Sequence, residues 1–186
     1  MAYDVNNVSA AKPAIGGAIN VADVGTTLPT DATSSLTGFT NLGYVGEDGL
    51  INSNSASTTA HKAWGGDIVL TTQDEKTDTF QFNLIEVTNV DVLKFVYGDD
   101  NVTGTLATGI AVAANSQEGP TRSLVIDMIM RNGTLHRLVI PNGQITEMDD
   151  ITYVDSDLAG FNVTVTAYPD STGNTHYSYF EEAPSA

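Results

Sequence analysis

Residues 64–104 read WGGDIVLTTQDEKTDTFQFNLIEVTNVDVLKFVYGDDNVTG, and their pattern sets the fold class. Ile68 and Leu70 alternate with Asp67, Val69 and Thr71, and Phe80, Phe82 and Leu84 alternate with Thr79, Gln81 and Asn83. A period of two puts one set of side chains on a buried face, so both runs predict strands. Thr72–Thr77 between them is polar and of turn length, which predicts a β-hairpin. Thr88 or Asn89 then offers a helix cap and Gly98 a left-handed end, framing a short helix at about residues 89–97. Val90, Leu93, Val96 and Tyr97 form one apolar stripe of that helix, and Val92 and Phe95 lie off it. A helix apolar on more than one side is either deeply buried in its own domain or in contact with a partner chain.

Working outward, residues 1–40 are rich in Ala, Gly, Thr and Asn, and Leu28–Ser35 reads as loop. This segment is expected to be an arm. Leu42–Val45 is a short strand candidate. Gly46–Lys62 (GEDGLINSNSASTTAHK) reads as a long polar connection, either a mobile surface loop or a functional one. Beyond the helix come more strands. Leu124, Ile126, Met128 and Met130 share a face, Asn132-Gly133 signals a type I′ hairpin turn, and Leu135–Ile140 returns. Asn142-Gly143 marks a second turn into 144–154. Phe161, Val163, Val165 and Ala167 alternate with polar residues, and Thr175–Phe180 forms a last strand. Short strands with turn signals and one helix predict a mainly β fold, an antiparallel β-sandwich or open barrel with a flanking helix. The expected division is an N-terminal arm and loop at 1–40, a β-sandwich at 41–180 that includes a long loop at 47–62, and a C-terminal tail at 181–186.

The chain of 186 residues has 23 acidic side chains against 7 basic ones, a formal charge of −16. Such a surface repels a nucleic-acid backbone, and the scattered lysines and arginines make no basic patch. Without cysteine there are no disulfides, thiolate nucleophiles or cysteine metal sites. The first residues show neither a basic n-region nor an apolar h-region, so no signal peptide is expected, and no apolar run reaches the length of a membrane span. Synthesis in the cytoplasm is the expectation.

Little in the sequence suggests catalysis. His61, His136 and His176 lack metal-ligand spacing, and no nucleophile elbow, P-loop or dinucleotide fingerprint occurs. Asp99-Asp100-Asn101, Glu147–Asp150 and Asp155-Ser156-Asp157 offer oxygen ligands for calcium, but none matches an EF-hand loop, and solvated acidic turns explain them more simply. Neither a cofactor nor a metal site is expected. The only tryptophan, Trp64, precedes two glycines and is a candidate core or interface anchor.

Taken together, Trp64-Gly65-Gly66, the strand ending in Leu84-Ile85-Glu86, Asn89–Lys94 and the Tyr97-Gly98 close resemble the major tail tube protein of long-tailed bacteriophages. Gly43–Leu50 resembles that family's segment before its long loop. The resemblance implies a non-enzymatic virion protein with a sandwich fold and a flanking helix. It implies six copies per ring, rings stacked into a tube, inner strands joined around a DNA channel, and other tail proteins at the tube ends. On that basis Asp67, Glu47, Asp48, Asp74 and Glu75 are candidate lumen acids, or exposed turn residues elsewhere. Ser53, Asn54, Ser55, Thr58 and Thr59 are candidates for the ring-stacking loop, and Trp64, Val92 and Phe95 for subunit contacts. The alternative is an extracellular β-sandwich binding or adhesion module, with calcium in its acidic turns.

Overall fold

The computed structural model describes residues 3–183. Its strands are β1 (Ala11–Pro13), β2 (Ile19–Asp23), β3 (Thr40–Asn41), β4 (Val45–Lys62), β5 (Ile68–Leu84), β6 (Val102–Thr105), β7 (Gly109–Val112), β8 (Arg122–Met130), β9 (Leu135–Met148), β10 (Phe161–Tyr168) and β11 (Tyr177–Glu181), with the helix α1 (Val90–Tyr97) between β5 and β6. The fold is mainly β with one flanking α-helix, as the patterning predicts.

All pairings are antiparallel, and the main sheet runs β3-β2-β8-β9-β10-β5-β4. The sheet curls through β9. The first half of β9 pairs with β8 and β11, and the second half with β10. Gly143 lies at this change of partner, within the strand. A Cβ there would sit 2.6 Å from Leu124 Cδ1 and 2.9 Å from Val165 Cγ1. The glycine is needed for close packing, which corrects the expected turn at Asn142-Gly143. The turn at 130–134 also differs from expectation. Asn132 has no positive φ, and Gly133 (φ 87°) alone turns left-handed, its N–H donating to Met130 O at 2.9 Å. A three-residue loop closed by a glycine bulge therefore replaces the two-residue type I′ turn.

The core lies inside the curl. Phe80, Phe82 and Leu84 of β5 and Phe161, Val163 and Val165 of β10 meet Ile19, Leu124, Ile126 and Ile140 from the other side. Each such buried side chain contributes roughly 1.5–3 kcal/mol. The helix closes one end of this core. Phe95 stacks on Phe82 with ring centroids 6.4 Å apart, and Tyr97 meets Phe161 edge-on at 5.9 Å. Val92 and Phe95 are both buried there, so neither has surface left for a neighbouring subunit. Of the two readings open for the helix, burial in its own domain is the one observed.

The helix starts where Asn89 Oδ1 accepts from Asp91 N at 3.0 Å. It ends at Gly98, whose φ of 93° and ψ of 147° lie outside the left-handed helical region but remain in territory that favours glycine. Asn89→Ala should cost about 1 kcal/mol, measurable as a lower urea midpoint with an unchanged slope.

The expected arm at 1–40 is shorter than predicted, because β2 belongs to the core and Ala32 is buried. Arg137 holds the covering loop in place. It donates to Ser34 O at 2.8 Å and Asp31 O at 3.2 Å, and pairs with Asp127 through Nε at 2.6 Å. The largely exposed N-terminal stretch is 3–17, and within it β1 still pairs with β8. Of the expected tail, Glu181 ends β11, and 184–186 lie outside the described residues.

Candidate assembly surface

The 47–62 segment is not a loop. It belongs to β4, paired with β5 from Val45↔Leu84 to Lys62↔Ile68. Thr72–Thr77 is likewise not a turn, since β5 runs through it. The chain reverses instead at Ala63–Asp67, where Gly66 N donates to Ala63 O at 3.0 Å and Ala63 N to Asp67 O at 2.8 Å. Gly65 and Gly66 have positive φ there, which is why two glycines follow Trp64. Leu50–Lys62 contains neither glycine nor proline, a sign of continuous strand that its polarity obscured.

The result is a long two-stranded ribbon leaving the sandwich. From Ile51 outward β4 is exposed at every position, and β5 is exposed or half-buried up to Thr77. Ile68, Val69 and Leu70 have no buried face within the subunit, contrary to the alternation reading. Among the described residues both ribbon edges are free of strand partners, β4 along its outer side and β5 before Thr79, where pairing with β10 begins. A lone hairpin of this length is marginal in water, and open edges recruit further strands.

The root of the ribbon is clamped. Asp78 follows the parity of Phe80 and Phe82, so its carboxylate turns inward and is 1% exposed. It accepts from Asn52 Nδ2 at 2.9 Å and Thr175 Oγ1 at 2.6 Å, and His176 Nδ1 lies 2.5 Å away. An ionised carboxylate only accepts, so Nδ1 carries the proton. Burial pushes the Asp78 carboxyl up, but the hydrogen bonds from Thr175, Asn52 and His176 outweigh it and hold it below 3.8.

The registers define the two ribbon faces. On the face away from the core stand Ser53, Ser55, Ser57 and Thr59 of β4. A bulge at Asp74 puts Asp74, Glu75, Thr77 and Thr79 of β5 beside them. Ser55 and Thr77 hydroxyls are 2.9 Å apart, and Thr59 Oγ1 donates to Asp74 Oδ2 at 2.5 Å. The same face continues onto the body through Thr164 and Thr166 of β10 and Thr146 and Glu147 of β9, with Thr146 and Thr166 hydroxyls 2.8 Å apart. Apart from Ile51, Leu70 with the bulged Val69 beside it, and Tyr168, it is hydroxyls, amides, carboxylates and His61. Lys62 and Lys76 stand on the opposite face.

The candidate residues separate accordingly. Asp74 and Glu75 lie on this polar face, Glu47 and Asp48 lie in the irregularity between Val45 and Leu50, and Asp67 closes the ribbon tip. Ser53, Ser55 and Thr59 also face the polar side, whereas Asn54 and Thr58 face the other. All five lie mid-strand, so none forms a loop tip. Trp64 stands fully exposed at the tip. Sequence reading missed Thr146, Glu147, Thr164 and Thr166, which join the face only through long-range pairing. It also missed Asp78, although an acid in phase with Phe80 and Phe82 was a visible signal. Among the described residues no three acidic or histidine side chains gather to hold a metal ion.

No curated protein matches the chain. A family model described as phage tail tube protein matches residues 1–186. Members of that family are structural components of the virion tail that assemble with themselves and with other tail proteins, and they are not enzymes. With a match across its whole length, the chain belongs to the phage tail tube protein family.

Proposed function

We propose that copies of this chain, six in number as the resemblance implies, close into rings through their ribbons, and that stacked rings form a tube through which DNA passes. The observation that carries this is the ribbon itself, with two free edges and a cation-free face. The free edge of β4 on one copy pairs with the free edge of β5 on the next. This contact is heterologous, and with a rotation of one sixth of a turn per copy its repetition about an axis closes a ring. Each copy then lends both ribbon strands to one continuous barrel, which removes the open edges.

In that barrel the polar face lines the channel. Ser, Thr and Gln side chains present neutral, hydrated groups, and Asp74, Glu75 and Glu147 add negative charge. A DNA backbone meets no lysine or arginine on this face to neutralise its phosphates, so it slides without sticking. The overall charge of −16 acts in the same direction. Synthesis takes place in the host cytoplasm, before the subunits enter the tail.

Negative-stain electron microscopy of concentrated protein tests the proposal. Rings or tubes with a central hole and sixfold class averages are expected. A species that stays monomeric at every concentration and salt would overturn it.

A further inference from the structure

We infer that Asn132 is a site of spontaneous covalent modification: its side-chain amide is lost to attack by the Gly133 backbone nitrogen, and the product unfastens the N-terminal strand β1. The chain has two Asn-Gly pairs, Asn132-Gly133 and Asn142-Gly143. The fold opens the first to this chemistry and closes the second. The reaction is a cyclisation. Hydroxide takes the Gly133 amide proton, and the nitrogen bonds to Asn132 Cγ. The Cγ–Nδ2 bond breaks, water returns a proton to the departing nitrogen, and ammonia leaves. A second water opens the succinimide ring at one of its two carbonyls. The product is aspartate, or isoaspartate, whose main chain runs through Cγ and is one methylene longer.

At the hairpin tip Asn132 is exposed and Gly133 half-buried. Thr134 N donates to Asn132 Oδ1 at 3.1 Å. This bond spans Gly133, so it keeps the side-chain carbonyl folded against the peptide that must attack, and it draws electron density from Cγ. Gly133 has no Cβ to hinder the approach. One bond opposes the reaction: Gly133 N–H donates to Met130 O at 2.9 Å. It lies in the loop and opens by local fraying, without separating β8 from β9. Gly143, in contrast, is buried and paired with Arg122 of β8 and Ala167 of β10. Asn142 Nδ2 is itself held, donating to Pro169 O at 3.2 Å. Attack there needs the sheet to open on both sides, at a cost near that of unfolding. The same tip fastens the N-terminal segment. Arg131 N donates to Ser9 Oγ at 2.8 Å and Ala10 O at 2.9 Å, and Ala11 pairs with Met130. An extra methylene after residue 132 shifts Gly133 N from Met130 O and Thr134 O from Met130 N, the two bonds that position Arg131. Strand β1 is exposed along its whole length, so it depends on its main-chain bonds to β8.

Free subunits aged in mildly alkaline buffer test the inference. Trypsin cuts after Arg131 and Arg137, which puts Asn132 in peptide 132–137 and Asn142 in 138–186. Mass spectrometry should show Asn132 gaining the mass of an amide-to-acid exchange at least about tenfold faster than Asn142 in the folded protein, and both converting at similar rates in urea. Elastase, which cuts at small residues, should cleave between residues 9 and 15 several-fold faster in aged wild type than in fresh. Asn132→Gln, whose longer side chain closes no five-membered ring, should stay as resistant after ageing as before it. Equal rates at Asn132 and Asn142 in the folded protein, or no conversion at Asn132, would overturn the site. Conversion at Asn132 with unchanged elastase cleavage would overturn the release of β1.

Discussion

Replacing residues 55–77 with Asn-Gly should give a subunit that folds normally and never assembles. Asn54 and Asp78 are direct cross-strand partners, so a two-residue turn joins them with little distortion. The excised segment contains no buried residue, and the Asp78 clamp keeps Asn52, Thr175 and His176. The melting temperature should therefore stay within about 4 °C of the wild type, the shift expected for 1 kcal/mol or less. Assembly should fall by at least about 100-fold, because both free edges of the ribbon and its tip are gone. Circular dichroism melts read the first outcome, and sedimentation with electron microscopy reads the second. Rings of normal diameter from the truncated chain would show that subunits meet through the sandwich and not the ribbon.

The sandwich and helix were legible because their signals are local. Phe80, Phe82 and Leu84 announce a half-buried strand within five residues, and Asn89 and Gly98 bracket a helix that forms where expected. The ribbon was not legible, for a physical reason. A strand is recognised by a contrast between buried and exposed sides, and Ile51–Lys62 has both sides in solvent within one subunit. Its Ser, Thr and Asn residues looked like loop for want of that contrast. The glycines misled in the opposite sense. Asn142-Gly143 has turn chemistry, yet Gly143 serves packing against Leu124 and Val165, which no local window reveals. The candidate acids Asp74 and Glu75 were found through the family resemblance, which makes their segment an inner strand. Their common face follows only from the bulge at Asp74, which lets both point away from the core. Val92 and Phe95 show the limit of helix periodicity: being off the stripe meant an enclosed helix, and the core takes them both.

Asp78→Ala should destabilise the subunit by about 2 kcal/mol, since it removes the buried acceptor that the half-buried Thr175 and His176 and the exposed Asn52 share. The loss falls where the ribbon leaves the body, so it should also loosen the angle at which the ribbon projects. The pH dependence has a definite sign. The folded Asp78 carboxyl is held below its ordinary 3.8, so its contribution is complete above that value and fades as pH falls through the lower folded value. Asp31 and Asp170 are also held low by local hydrogen bonds and add to the acid sensitivity of the whole protein. Asp78→Asn separates them. The amide accepts through one oxygen and carries no titrating proton, so urea midpoints of wild type and Asp78→Asn should differ at pH 7 and converge below pH 3.8. A constant difference across that range would mean that Asp78 acts by shape and hydrogen-bond count alone. A ribbon held at a fixed angle matters for a ring, where every copy must meet its neighbour with the same geometry for the barrel to close. Asp78→Asn rings, if they form at pH 7, should therefore show a wider spread of diameters than wild-type rings, which electron-microscopy class averages can measure.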